Sequence, residues 1–243
     1  MEFSLIFYIA LFIIAVLYSS VGHAGASGYI AVMTLFSIAP AVIKPTALLL
    51  NCLVSLIGTY QFYRTGHFSK PLFLRFVLPS VAFAFLGGYI NLPLKIFNII
   101  LGIILFYTAF VFFLEKKAVQ LRPLPSSAVG IPVGAGIGLL SGLIGVGGGI
   151  FLTPILIRFK WASAKTAAAV SAPFILVNSL FGLAGIAVSK SALPEIPLLL
   201  FLPVLFGGMI GSYFGSARFS EMTIKKLLAV VLIVAGIKLL IAR

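Results

Sequence analysis

Two glycine-rich breaks interrupt an otherwise apolar chain: Gly22-His23-Ala24-Gly25-Ala26-Ser27-Gly28, and Gly142-Leu143-Ile144-Gly145-Val146-Gly147-Gly148-Gly149. They lie about 120 residues apart. Each break is followed by a short apolar run, a basic residue and then a long apolar segment. Interrupted membrane helices at matching positions of two halves are the sequence pattern that marks a binding site near the middle of the bilayer. The sequence therefore predicts two similar halves with one broken helix in each.

The composition is that of a multi-span membrane protein. Of the 243 residues, 62% are hydrophobic and only 9% are charged, and the mean hydropathy is +1.25. A soluble domain carries about 25% charged residues. Helices satisfy their own backbone hydrogen bonds in lipid, so we expect an all-α polytopic fold. The formal charge of +13 indicates cytoplasmic loops rather than nucleic-acid binding, because the basic residues lie between the apolar segments.

Hydropathy divides the chain into segments of two lengths. A spanning helix needs about 20 residues, and the segments 29–39 and 150–157 are too short. They are predicted to be half-helices, although the sequence leaves open whether they span fully. The domains are a first transmembrane repeat over 1–114, a cytoplasmic linker over 115–125 and a second repeat over 126–243. The long apolar segments are 3–21, 45–63, 71–90, 94–114, 127–144, 164–188, 194–215 and 223–241.

The basic residues indicate the topology. If each break returns the chain to the side from which it entered, each repeat is a re-entrant helix pair followed by three spanning helices. One side then receives 12 of the 17 Lys and Arg residues, in the loops around 64–75, 116–122, 158–165 and 218–226. A simple loop leading into one long helix would divide these charges more evenly. The positive-inside rule favours the first topology, with inverted repeats and both termini outside the cell membrane. The first segment is predicted to be a retained helix, because Met1-Glu2 lacks the basic residue of a signal peptide.

The ionisable residues argue against catalysis and against a metal or other cofactor. The chain has no aspartate, four glutamates at or near segment ends, two histidines and one cysteine. By contrast, the N-terminus of a helix offers unpaired N–H groups and a partial positive charge, so it binds anions without a charged side chain. We therefore predict an anion site formed by Ser27, Gly28, Gly148 and Gly149. The alternative is that these glycines only allow close helix packing.

Polar side chains within apolar segments are further candidates for the site. Asn51, Asn178 and Ser171 are predicted to line a cavity and to orient the anion. Their alternative role is interhelical hydrogen bonding, worth about 0.6 kcal/mol each. His23 lies in the first break and has no histidine counterpart in the second. Because histidine titrates near neutral pH, His23 is the candidate for proton coupling; otherwise it only fills the turn.

At these residues the chain resembles the TauE/SafE family of sulfite exporters. The resemblance rests on two similar halves, on a Gly-rich break before a short helix containing Pro154, and on the stretches Lys44-Pro45-Thr46-Ala47 and Lys165-Thr166-Ala167-Ala168. It implies a secondary transporter that moves sulfite, organosulfonates or related sulfur anions across the cytoplasmic membrane. The first break departs from the glycine pattern of the second.

The expected partners are a small anionic substrate and the lipid bilayer, and the sequence is compatible with a homodimer. A passive anion channel and an intramembrane enzyme or scaffold are the alternative functions. The sequence leaves open the substrate, the direction of transport and the coupling ion.

Overall fold

The computed structural model describes residues 4–90, 121–189 and 197–220, together with single helical positions at 99, 103, 223, 226, 230, 233 and 237. Over these residues the chain forms helices and no strands. The α-helices of the first half are α1 (Leu5–Ser19), α2 (Ala26–Leu35), α3 (Pro40–Arg64) and α4 (Lys70–Tyr89). Those of the second half are α5 (Ser127–Ile144), α6 (Gly149–Arg158), α7 (Ala164–Val188) and α8 (Phe201–Tyr213). A 3₁₀ turn at Leu198–Leu200 precedes α8, and a π-helical turn at Phe214–Arg218 follows it.

Five described segments are long and apolar enough to cross a membrane: α3 from Ala41 onward, α4, α5, α7 and the stretch Leu198–Arg218. The prediction of an all-α multi-pass membrane protein is thereby confirmed. The helix α5 reaches the length of a span, whereas its counterpart α1 is shorter. The predicted spans at 94–114 and 223–241 lie outside the described residues, apart from the single helical positions, and so does most of the 115–125 linker.

Local chemistry accounts for the helix boundaries. The helix α7 begins and ends where the apolar pattern predicts, and the Ser163 side chain caps it by accepting the Thr166 N–H at 3.2 Å. The helix α3 begins at Pro40, five residues before the predicted segment, and continues through Pro45. Proline suits the first helical turn because its missing N–H needs no partner there.

The backbone around the two breaks repeats itself at a constant spacing of 123 residues, as between 25 and 148. The half-helices α2 and α6 have ten residues each. Each is preceded by a left-handed glycine, Gly25 with φ 104° and Gly148 with φ 82°. After each half-helix a non-glycine residue is also left-handed, Ser37 with φ 56° and Lys160 with φ 63°. A non-glycine residue adopts this costly conformation at both positions, so the backbone pattern repeats through the turn after each short helix.

Each break packs against the other half of the protein. A Cβ built on Gly22 in the first break would lie 2.6 Å from Ala168 Cα in α7. A Cβ on Gly145 in the second break would lie 2.9 Å from Lys44 Cγ in α3. Residues 18–33 and 144–154 are buried throughout. Irregular backbone is tolerated at membrane depth only where protein surrounds it or a cavity adjoins it, and both breaks meet the first condition.

Candidate functional site

Both half-helices begin in the protein interior with unpaired backbone donors. In the second break the N–H groups of residues 146–150 donate no hydrogen bond to any residue that the structure describes. The Gly148 carbonyl accepts from Phe151 and Leu152 at 3.1 Å each, which fixes the start of α6. In the first break Ala26, the first residue of α2, donates its N–H to Asn51 Oδ1 at 3.1 Å. Of the predicted site residues, Ser27 and Gly28 therefore lie in the first turn of α2. Gly149 is the first residue of α6, and Gly148 is its N-cap.

The Asn51 side chain touches both breaks. It projects from α3 and is fully buried. Its Oδ1 accepts from Ala26 in the first break, while its Nδ2 has no partner among the described residues. A Cβ built on Gly147 in the second break would lie 2.8 Å from that Nδ2 atom. This single amide therefore links the two glycine motifs.

A second link is a chain of three buried polar side chains. His23 Nε2 lies 2.8 Å from Thr153 Oγ1 in α6. Thr153 Oγ1 lies 2.7 Å from Ser171 Oγ in α7. His23 Nδ1 is buried without a partner in the described part of the chain. These two hydrogen bonds thus connect the first break to α6 and to α7, the helix that follows α6.

Two tyrosines border the first break. Tyr18 OH and Ser27 Oγ are 2.8 Å apart and buried. Tyr29 OH is buried without a hydrogen-bond partner among the described residues. It lies 2.9 Å from the position of a Cβ on Gly25. The hydroxyl of Ser27 therefore has an internal partner, and its backbone N–H donates no hydrogen bond to a described residue.

The structure brings most of the predicted site residues together, and Asn178 is the exception. Its Nδ2 donates to the Phe174 carbonyl of its own helix at 3.0 Å, and its Oδ1 is unpartnered among the described residues. The next residue reaches the break instead, because Ser179 Oγ would lie 2.9 Å from a Cβ on Gly147. Ser171 reaches the site through Thr153.

Sequence reasoning missed five residues of this cluster: Tyr18, Tyr29, Thr153, Ser179 and Ser141. The Cβ of Ser141 would lie 3.4 Å from a Cβ on Gly148, and its hydroxyl has no partner among the described residues. Two of the five carried a usable signal. Thr153 is the one polar residue of α6 before its terminal arginine, and Ser179 extends the polar pair Asn178-Ser179 within an apolar segment. The two tyrosines gave no sequence signal for the site, because aromatic residues near the ends of apolar segments are usual at membrane interfaces.

Lys44 has a structural role next to the second break. Its Nζ donates to the carbonyls of Gly87, Gly88 and Ile90 at 3.3, 3.3 and 3.2 Å. These are carbonyls at the end of α4, which lack helical partners and carry partial negative charge. The ammonium group therefore caps α4, while its side-chain stem packs on Gly145.

The cluster around the breaks consists of neutral groups. Among the described residues no group of three or more His, Cys, Asp and Glu could hold a metal ion. The polar atoms are instead backbone N–H groups, hydroxyls, amides and one imidazole. Helix N-termini and oriented neutral donors of this kind are able to bind an anion.

Comparisons with known proteins show the family of the chain. The family described as "Sulfite exporter TauE/SafE" matches residues 7–239. The chain is 40% identical over 237 residues to the "Probable membrane transporter protein y4hK" of Sinorhizobium fredii (strain NBRC 101917 / NGR234), and the match covers 96% of each chain. No solved structure matches significantly. The chain is therefore a multi-pass membrane protein that belongs to the TauE/SafE family of membrane transporters.

Proposed function

We propose that this protein is a secondary transporter of small anions, with sulfite, an organosulfonate or a related sulfur anion as substrate. One observation carries the proposal: two buried glycine breaks present unpaired N–H groups at the starts of half-helices, beside buried side-chain donors without partners. An unpaired buried donor costs about 1–3 kcal/mol. Binding an anion at this place would offset that cost.

The charge of the anion is balanced by helix ends. Each helix N-terminus carries about half a positive elementary charge. We assign the charge contacts to the backbone at Ser27, Gly28, Gly148 and Gly149. We assign orientation of the anion to the side chain of Asn51, which lies nearest to both breaks. Ser171 supports Thr153, and Asn178 can offer the amide N–H that does not donate to the Phe174 carbonyl. Glycine at the breaks allows the ligand to approach the backbone closely.

Alternating access between inverted repeats would expose this site to each side in turn. The repeated backbone pattern, 123 residues apart as between 37 and 160, supports two structural copies. The cross-packing of Gly22 on Ala168 and of Gly145 on Lys44 couples each break to the other repeat. Rocking of one repeat against the other would change both breaks together. The distribution of basic residues supports inversion, with the linker in the cytoplasm and both termini outside the cell.

His23 is the residue to which we assign proton coupling. Its ring lies at the contact between the first break and α6, and its Nδ1 has no partner in the described part of the chain. Protonation would turn both ring nitrogens into donors. The His23–Thr153 contact and the anion site would then respond to the same proton.

A liposome assay tests the function. Purified protein is reconstituted and supplied with sulfite, sulfate, thiosulfate, taurine or sulfoacetate, with and without a pH gradient. We expect saturable accumulation of at least one sulfur anion against its own gradient. Flux that only equilibrates the anion would identify a passive channel. No flux of any anion, accompanied by catalytic turnover or partner binding in detergent, would identify an intramembrane enzyme or scaffold instead.

A further inference from the structure

The two breaks differ in what their side chains offer to a ligand. We infer that the anionic headgroup is anchored at the second break by Asn51 Nδ2 and Ser179 Oγ, while in the first break the Ala26 N–H and the Ser27 hydroxyl already have internal partners. This inference rests on the proposed transport function and assigns unequal roles to the two half-sites. It adds Ser179 as a ligand-binding residue.

In the first break the Ala26 N–H and the Ser27 hydroxyl already have partners, whereas His23 Nδ1 and Tyr29 OH have none among the described residues. The first N–H of α2 donates to Asn51 Oδ1 at 3.1 Å. The hydroxyl of Ser27 is paired with Tyr18 OH at 2.8 Å. An anion arriving here meets the remaining backbone N–H groups but displaces an acceptor, the Asn51 oxygen, if it approaches Ala26. The Asn51 oxygen therefore occupies the place of a ligand at this helix start.

In the second break the polar side chains lack partners. Asn51 and Ser179 are both fully buried. Asn51 Nδ2 and Ser179 Oγ form no hydrogen bond with any described residue. Both converge on Gly147, because a Cβ built there would lie 2.8 Å from the amide nitrogen and 2.9 Å from the hydroxyl oxygen. Both atoms adjoin Gly147, which is one of the residues 146–150 whose N–H groups donate no hydrogen bond to a described residue.

The orientation of the Asn51 amide determines whether the site suits an anion or a cation. Its oxygen is held by the Ala26 N–H, so its nitrogen must face Gly147, and rotating the amide by 180° would place two donors against each other. The nitrogen only donates, and a serine hydroxyl can also donate. Two such donors beside a row of backbone N–H groups suit an anion with at least two acceptor oxygens. A cation would find donors where it needs lone pairs.

The test uses the reconstituted full chain and radiolabelled sulfite, with taurine as a second probe. Ser179→Ala removes one donor, and Asn51→Asp keeps the acceptor for Ala26 while replacing the donor with a carboxyl oxygen. We expect a ten- to hundredfold rise in the half-saturation concentration for Ser179→Ala, as for loss of a hydrogen bond to a charged group, with little change in maximal rate. Asn51→Asp should lose saturable uptake.

Two controls separate binding from folding. Ser212→Ala removes an equally buried hydroxyl that donates to Gly208 O of its own helix at 2.6 Å. Tyr18→Phe removes the internal hydrogen bond of the first break. Both should keep half-saturation within about threefold of the wild type. Size-exclusion profiles and thermal unfolding in detergent show whether each variant folds. If Asn51→Asp does not fold, the half-saturation concentration of Ser179→Ala alone tests the anchoring at the second break.

The failure of this inference differs from the failure of the proposed function. If the wild-type protein moves no anion, the proposed function is wrong and the inference falls with it. If the wild type transports but Ser179→Ala behaves like Ser212→Ala, only the anchoring at the second break is wrong. A larger rise in half-saturation for Tyr18→Phe than for Ser179→Ala would move the anchor to the first break.

Discussion

Gly148→Val is the sharpest test of the second break. Gly148 is the N-cap of α6 and has φ 82°, a conformation that favours glycine. A Cβ at this position would lie 2.8 Å from Phe174 Cε1 and 3.1 Å from Ile137 Cγ2. The branched side chain would also stand beside the N–H groups that we assign to the anion. The substitution therefore strains the backbone, crowds its neighbours and blocks the proposed site.

The expected loss of stability follows from the first two of these effects, the backbone strain and the crowding. A left-handed conformation costs a residue with a Cβ about 1–2 kcal/mol. Crowding in a packed interior costs about 1–3 kcal/mol more. The sum of about 2–5 kcal/mol is smaller than the stability of many native proteins, about 5–15 kcal/mol. We therefore expect a protein that inserts and folds, melts about 4–20 °C lower and transports nothing.

Gly136→Val is the matched control. Gly136 lies within α5, and a Cβ there would have no atom within 4 Å. Valine is also a slightly better helix former than glycine, by a few tenths of a kcal/mol. This variant should keep both melting temperature and uptake close to wild type.

The assay compares sulfite uptake into liposomes at equal amounts of inserted protein, with thermal unfolding measured on the same preparations. Equal transport by the Gly148 and Gly136 variants would refute the assignment of the site to the break. A Gly148→Val protein that melts like the wild type would refute the strain argument separately.

Three further predictions address coupling, capping and topology. His23→Gln keeps a hydrogen-bonding partner for Thr153 but cannot titrate near neutral pH, so it should lose accumulation driven by a pH gradient and retain anion exchange; an unaltered pH profile of uptake would contradict the coupling role. Lys44→Met removes the ammonium donors from the end of α4 and should lower the free energy of unfolding by about 1–2 kcal/mol, and Lys44→Arg should recover part of that loss. Lys165, which is half-buried, is the control, and Lys165→Met should change the free energy of unfolding by about 0.5 kcal/mol or less. Equal melting temperatures for the two methionine variants would argue against the cap. A cysteine at position 120, in a Cys52→Ser background, should react with an impermeant reagent only after the cells are opened, because the linker is predicted to be cytoplasmic, and labelling of intact cells would overturn the topology.

The register of the two halves shows where sequence comparison reached its limit. The similar stretches beginning at Lys44 and Lys165 suggested equivalent positions. In the structure Lys44 is the fifth residue of α3 and Lys165 is the second residue of α7, and only Lys44 caps a neighbouring helix. The glycine breaks, by contrast, keep one spacing through the half-helices and the turns after them. The backbone conformation at a glycine depends on the residue itself and its neighbours in sequence. The partner of a long flexible side chain depends instead on which helices pack against it.

The sequence by itself determined the membrane class, the two breaks and the short helices after them. These properties depend on composition, on segment length and on the conformations that glycine allows, all of which act over a few residues. Only the tertiary structure decided that Asn51 spans both breaks and that His23 meets Thr153, 130 positions away. Such contacts arise from how the helices pack, and near-uniform apolar segments carry no pattern that specifies which faces meet. For the same reason Ser179, rather than Asn178, faces the second break.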